Sequence, residues 1–274
     1  MTHVLLRRRA LGDVVLLGAI TSALPGCVVV TDPRYVEVAA RLRGVASALP
    51  WGSPLPPGPV IDLQGSGWTR LRWPLAARIH KHSLRRRLGW GRPGVPSLYA
   101  RAAGVVAAPP PWIEVPGGEG LALLPGASTP LKRWPARSFA QVGRAWSGPV
   151  VVVGAAAERA LVEEVRAAVP GATSVVEEGF ARTIAALGTC RVALGGDTGL
   201  LHLAAACGAT PVALFGPTHP RDGFFPYAGR TVSLDLPCRP CTLHRRTTCP
   251  EGHHGCMGQS VADVLAEVRA CASR

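Results

Sequence analysis

Val192–Thr218 reads VALGGDTGLLHLAAACGATPVALFGPT, and its pattern decides the fold class. A short apolar run ends in Gly195-Gly196, Asp197-Thr198-Gly199 follows, an apolar segment carries His202, and a second apolar run closes at Gly216-Pro217. That order predicts strand, glycine turn, helix, strand. Asp197 or Thr198 stands where a helix N-cap belongs, since a short side-chain oxygen there can satisfy amides of the first turn. A helix start after a glycine turn also presents free N–H groups and a positive dipole end, which suit a phosphate. An ordinary capped βαβ crossover has the same pattern, so the stretch alone fixes fold class and leaves function open.

The 274 residues suffice for one large or two ordinary domains, and 47% hydrophobic with 17% charged residues excludes a disordered chain. The net charge of +13 is unevenly placed. Residues 1–115 hold 15 Lys+Arg against 5 Asp+Glu, and residues 116–274 hold 15 against 12. The first half therefore carries the field for an anionic partner. No apolar run reaches the ~18–20 residues of a membrane span. Arg7-Arg8-Arg9, an apolar stretch and Leu24-Pro25-Gly26-Cys27 mimic a lipoprotein signal. Asp13 breaks that stretch, and Pro25 stands where cleavage needs a small residue. Eight cysteines are too few for a disulfide framework at this length, so a reducing cytoplasm is expected.

Along the first half, His3–Leu6 predicts a strand, residues 10–13 a turn, and Val14–Leu24 a helix. This is the opening of a doubly wound α/β domain without a G-x-G-x-x-G fingerprint. Asp13 lies at the strand's carboxyl end, where such sheets bind ligands, although a residue of this kind is more often a helix cap than a catalytic base. Cys27–Val30 is a second strand, Pro33–Arg43 a helix, and Val60–Gly65 a strand leading into a turn. From Trp68 to Arg92 there are Arg70, Arg72, Arg78, Lys81, Arg85, Arg86, Arg87 and Arg92, no acid, and Trp68, Trp73 and Trp90 interleaved. A solvated helix face and a phosphate-binding patch with tryptophans at a membrane or a ring fit this stretch equally. The Pro/Gly-rich stretch 108–120 has the composition of a linker.

The second half repeats the alternation. Leu121–Leu124 predicts a strand, Pro125-Gly126-Ala127-Ser128 and Lys132-Arg133 an anion cradle, and Pro135 the first helical residue of 136–146. Val150–Val153 is the next strand, Glu158–Val169 and Thr183–Thr189 are helices, and the chain then reaches Val192. Two α/β domains with a crevice is the economical architecture. Asp197, His202 and Lys132 come from strand ends of one half and Asp13 from the other.

The chain resembles the heptosyltransferase family of bacterial glycosyltransferases, which move heptose from ADP-heptose to lipopolysaccharide core. The pieces that carry the resemblance are Leu11-Gly12-Asp13-Val14-Val15, Val60–Gln64, Pro125–Ser128, Lys132–Pro135, Asp197–Ala206 and Leu214–Thr218, in the family's order. It implies a GT-B fold: two Rossmann-like domains, 1–112 on the acceptor side and 113–274 on the nucleotide-sugar side, with an interdomain cleft. It implies Asp13 as catalytic base and Lys132 on the donor phosphate. Asp197, Thr198, Gly199 and His202 would line the donor site, with Ser128 in the phosphate loop and Glu158 in the nucleoside pocket. The chemistry expected is an inverting, metal-independent transfer: a carboxylate takes the acceptor proton while Lys132 and helix amides stabilise the departing ADP. Two departures stand out. The family's first domain is usually longer, whereas here it is compressed to about 110 residues, and Leu200 replaces a frequent Pro.

Cys238, Cys241, Cys249 and Cys256 form C-x2-C-x7-C-x6-C near His244, His253 and His254. This spacing is read as a candidate structural zinc site, against four reduced thiols. Cys27, Cys190, Cys207 and Cys271 lie in apolar contexts and are expected in the core. The partners expected are an ADP-heptose-like donor, an anionic glycolipid acceptor and the inner-membrane surface, with no nucleic acid and no catalytic cofactor. The competing readings are a basic CxxC nucleic-acid-binding protein, which leaves Asp13 and Lys132 without a role, and a glycan-binding homologue without catalysis.

Overall fold

The computed structural model describes residues 1–79, 93–177, 179–222, 227–241 and 246–273. The expectations on Lys81, Arg85–Arg87, Trp90, Arg92 and His244 fall outside them. The chain divides into two compact units, Met1–Glu114 and Val115 onward, apart from a short piece starting at Arg221 that groups with the first. The boundary lies two residues past 112, because the 108–120 stretch is not a plain linker. Ala108 N–H donates to Ala19 O at 2.7 Å, Arg43 N–H donates to Trp112 O at 2.7 Å, and Ile113 bridges Leu42 antiparallel. Trp112 is buried with them.

The first unit is a five-stranded parallel sheet. β1 (Val4–Leu6) is flanked by β2 (Cys27–Thr31) and β4 (Val60–Asp62), with β3 (Val45–Pro50) and β5 (Ala77–Arg78) at the edges. β1 and β2 are buried at every residue, which is why they read as unbroken apolar runs rather than alternating ones. Edge strand β3 carries the partly exposed pattern. The helices are α1 (Leu11–Val15), α2 (Gly18–Thr21), α3 (Val36–Ala40), α4 (Gly67–Arg72) and α5 (Val95–Ala103).

Two expectations are corrected here. Residues 11–13 are helical rather than a turn, the reversal being made by Ala10 alone at φ 68°. The single helix 14–24 is instead the α1–α2 pair. At Gly18 an added Cβ would fall 2.6 Å from the Trp112 ring, so α2 packs its backbone directly on that indole.

The second unit is a six-stranded parallel sheet in the order β11-β10-β9-β6-β7-β8. Its strands are β6 (Gly120–Leu124), β7 (Val150–Ala155), β8 (Thr173–Glu177), β9 (Cys190–Gly196), β10 (Thr210–Phe215) and β11 (Arg230–Ser233). Counted from β6, that is the order 3-2-1-4-5-6 of a dinucleotide-binding sheet, with its switch point between β6 and β9. In the first unit the equivalent switch lies between β1 and β4. The helices are α6 (Ala136–Arg144), α7 (Arg159–Ala167), α8 (Ala181–Leu187), α9 (Gly199–Ala206) and α10 (Val261–Ala272). Pro135 is the N-cap of α6 rather than its first residue.

The core of this unit joins Leu121, Leu123, Trp134, Phe139, Val192, Leu194 and Val264. Trp134 and Phe139 meet edge to face at 5.2 Å between centroids. Apart from His202, helix α9 is apolar all round, and it is buried from Leu201 to Ala206, as a helix inside an α/β layer should be. Cys27, Cys190, Cys207 and Cys271 are buried, and none of them is in a disulfide among the described residues. Among the described residues no helix is long and apolar enough to cross a membrane.

Candidate functional site

In parallel sheets ligands gather at the carboxyl ends of strands beside the switch point, and in each unit that position holds a buried ion pair. In the second unit Lys132, on the 3-10 turn Pro130–Lys132 that follows β6, places Nζ 3.1 Å from Oδ2 of Asp197, the first residue after β9. Thr218, beyond β10, donates its hydroxyl to the same oxygen at 3.2 Å. Three successive strand ends thus meet on one carboxylate. The Lys132 and Asp197 side chains are only 6% and 9% exposed. Asp197 therefore fixes Lys132 rather than capping the helix.

Thr198 is the N-cap of α9 by backbone, but its side chain caps nothing. Its Oγ1 is buried without a hydrogen-bond partner among the described residues, as is that of Thr129. The expectation that a side-chain oxygen satisfies the first-turn amides is thus corrected. The N–H groups from Gly199 on have no side-chain cap, and they carry the positive end of the helix dipole. His202 lies one turn in and is buried.

Ser128 is exposed on the loop after β6, and Glu158 closes that loop from β7's end. An added Cβ at Gly126 would fall 2.0 Å from the Glu158 carboxylate, so the glycine makes room for it, while Ala155 N–H donates to Glu158 Oε2 at 3.0 Å.

The Cys-rich segment braces these loops. Arg239 donates to the backbone oxygens of Phe215, Gly216, Thr218 and Leu234, the Phe215 and Thr218 bonds being 3.0 and 2.8 Å. Desolvation by burial lowers its pKa, while neighbouring thiols, Cys256 first, oppose that. His254 donates Nε2–H to Leu131 O at 2.9 Å, one residue from Lys132. Met257 packs on Gly216, where an added Cβ would come 2.1 Å from its sulfur. Amides led by that of His254 hold the Cys249 thiol below its usual range, while burial pushes those of Cys241 and Cys256 up. Cys238 Sγ lies 3.8 Å from His253 Nε2. Among the described residues, however, no three His, Cys, Asp or Glu side chains are grouped so that they could hold a metal ion.

In the first unit Asp13 sits in the first turn of α1 and is paired with Arg7 Nη2, the side chains being 14% and 13% exposed. Arg7 Nη1 also donates to Leu63 O at 2.7 Å, tying the end of β1 to the end of β4. Burial works against the Arg7 charge, but Tyr99 and Asp13 outweigh it and raise its pKa. The buried Tyr99 hydroxyl donates to the Asp13 backbone oxygen at 3.1 Å, and burial raises its own pKa. Gln64 Oε1 accepts from Arg8 N–H at 3.0 Å. Asp62, fully buried, accepts from the N–H of Gln64 and Gly65 at 3.0 and 2.8 Å and from Thr69 Oγ1 at 2.7 Å.

Arg7, Tyr99, Thr218, Arg239 and His254 were not singled out as site residues from sequence. Of these only Thr218 and His254 had a signal, the first in the Gly216-Pro217-Thr218 strand end and the second beside the cysteines.

Residues 115–254 match the model of glycosyltransferase family 9 (heptosyltransferase). Over 134 residues the chain is 34% identical to lipopolysaccharide heptosyltransferase 1 of Pseudomonas aeruginosa, covering 46% of this chain and 37% of that relative. The chain thus spans well under half the length of that curated relative. The fold is also that of a family 9 glycosyl transferase from Veillonella parvula, with TM-score 0.75, 16% identity and coverage of 99% and 97% of the two chains. Against E. coli ADP-heptose lps heptosyltransferase II the TM-score is 0.71 at 18% identity, covering 100% and 99%. With two Rossmann-like parallel sheets of the GT-B class and a family match over half its length, the chain belongs to glycosyltransferase family 9, the heptosyltransferase family.

Proposed function

We propose that the protein is an inverting glycosyltransferase that moves a heptose or related sugar from ADP-heptose to a hydroxyl of lipopolysaccharide core or another glycan. The observation that carries this reading is the Lys132–Asp197–Thr218 cluster beside the N-terminus of α9. It offers a fixed cation and free amides for a diphosphate at the switch point of a nucleotide-binding sheet. The nucleic-acid-binding reading gives this buried cation a structural role only.

In this reading the amides of Gly199 and Leu200 and the Lys132 ammonium hold the donor diphosphate and stabilise the charge it gains as the glycosidic bond breaks. Thr198 and Thr129 hydroxyls donate to its oxygens, His202 backs the turn, and Glu158 and Ser128 border the nucleoside and phosphate. The Asp13 carboxylate removes the proton of the acceptor hydroxyl as the new bond forms, and Arg7 holds that carboxylate in place. No catalytic metal is required by this scheme, because Lys132 and the helix dipole supply the positive charge. We place the reaction in the cytoplasm, with the basic first unit drawn to the anionic membrane surface.

A donor screen tests the reading. ADP-heptose should bind and be turned over in the presence of EDTA, whereas UDP- and GDP-sugars should not. Binding of none of them, or a strict divalent-metal requirement, defeats it. A structural zinc on Cys238, Cys241, Cys249 and Cys256 would need these side chains to draw together. Elemental analysis of purified protein decides that separately: about one equivalent of zinc supports it on the four-ligand rule, and none removes it.

A further inference from the structure

Exposed large apolar side chains are few among the described residues, and they are concentrated. Trp68, Leu71 and Leu75 are 57%, 85% and 98% exposed, the others being Met1 and Val106. All three belong to α4 and the turn after it, at spacings of three and four, with the exposed Arg70 and Arg72 among them. The surrounding sequence is uniformly basic: no acid occurs between Asp62 and Glu114, while nine Lys or Arg do.

The patch is built on a rigid mount. Ser66 and Thr69 form a capping box at the start of α4, and the buried Thr69 hydroxyl is anchored on Asp62 at the end of β4. Trp68 packs on Trp51 and Trp73 at 5.8 and 5.5 Å, and Arg72 lies over Trp73 at 5.4 Å. Behind the turn opens a cavity of about 580 Å³ lined by His3, Val60, Trp73, Pro74, Leu75 and Ala102, with Arg72 among its walls. Apolar side chains held out in water beside guanidinium groups cost free energy unless something apolar and anionic receives them.

We propose that Trp68, Leu71 and Leu75 insert into the surface of an anionic phospholipid bilayer, with Arg70 and Arg72 on the headgroup phosphates. Charge alone would draw the first unit to any polyanion. The two leucines single out a bilayer, because a phosphate backbone has no apolar interior to receive them. The inference rests on the glycosyltransferase reading only for the nature of the acceptor met there, a glycolipid. The contact itself needs no donor.

Co-sedimentation of the full chain with vesicles of phosphatidylcholine plus phosphatidylglycerol, against phosphatidylcholine alone, tests it. The anionic vesicles should retain the protein. L71S/L75S should lower the partition coefficient on the order of tenfold or more, as expected for two leucine side chains kept out of the bilayer. R70Q/R72Q should weaken binding to anionic vesicles only, with a shallower salt dependence. In the unsubstituted protein, lipid brominated on its acyl chains should quench tryptophan emission, and Trp68→Phe should remove most of that quenching.

Unchanged partition of L71S/L75S, no quenching, or retention of RNA in place of vesicles overturns the proposal. ADP-heptose binding, measured on the same samples, separates the two readings. Intact donor binding without vesicle binding defeats the membrane contact alone. Vesicle binding without donor binding defeats the donor assignment alone.

Discussion

Each unit carries a Lys/Arg–Asp pair at its switch point, yet the two pairs are assembled in opposite senses. In the second unit the aspartate is the anchor. Asp197 accepts from Lys132 and Thr218, on loops after β6 and β10, and pulls three strand ends together under 9% exposure. In the first unit the cation is the anchor: Arg7 joins the ends of β1 and β4 through Leu63 O and presents Asp13 on the first turn of α1. A carboxylate committed to two donors on its deeply buried oxygen is a structural element that delivers an ammonium group. A carboxylate held by one guanidinium, with its helix backbone clipped by Tyr99, is delivered itself. In the function proposed above, the same pair of charges offers a cation in one unit and an anion in the other. Those are the two charges a sugar transfer needs for a departing diphosphate and for an acceptor proton.

The sharpest way to break this contrast is to remove each aspartate. Asp13→Ala should reduce transfer by about 10³-fold, within the range for loss of a general base, while ADP binding changes little and stability falls less than in Asp197→Ala, because Arg7 keeps its bond to Leu63 O. Asp197→Ala should do the reverse at the level of the fold. It strands a buried ammonium, and urea unfolding should report a loss of about 3–5 kcal/mol. If Asp13→Ala unfolds the protein and Asp197→Ala does not, the anchor and the delivered group have been interchanged.

The sequence disclosed much of this and concealed the pairing. Gly195-Gly196 before Asp197 and the apolar run after Gly199 declare strand, turn and helix, because local backbone chemistry and periodicity suffice there. The doubly wound class follows from that alternation. What stayed hidden rests on contacts across long stretches of chain. Arg7 was one of three adjacent arginines, and only folding selects it for Leu63 and Asp13. Arg239, between Cys238 and Cys241, has no signal in the sequence, but it gathers four backbone oxygens. Trp112, far along the chain, sets its ring against Gly18 at the start of α2. Composition assigned that tryptophan to a linker.

The second unit's anchor extends into the Cys-rich segment, and a gentler substitution probes it. Gly216→Ala would drive a methyl group into Met257, and overpacking of this kind costs about 1–3 kcal/mol. Because Gly216 directly precedes the Pro217-Thr218 loop, donor affinity should fall along with stability. Gly216→Ala combined with Met257→Ala should recover part of both. Additive losses in the double variant would mean that the segment does not brace the loop. Among the described residues no comparable segment supports Arg7–Asp13, so substitutions at 238–257 should leave the first unit's stability untouched, as read by hydrogen exchange at β1 and β4.

The smallest effect separates delivery from mere packing. Thr218→Val keeps the shape of the side chain and deletes one hydroxyl hydrogen bond to Asp197, a loss of about 1 kcal/mol in unfolding free energy. Tyr99→Phe deletes the bond to the Asp13 backbone oxygen and should cost a similar ~1 kcal/mol. Their kinetic signatures should differ. Thr218→Val frees Asp197 to hold Lys132 less firmly, so the Michaelis constant for the donor should rise with little change in kcat. Tyr99→Phe loosens the helix turn that presents Asp13, so kcat should fall while the donor constant stays put. Matching signatures from the two variants would show that neither pair is specialised, and the contrast between them would reduce to burial alone.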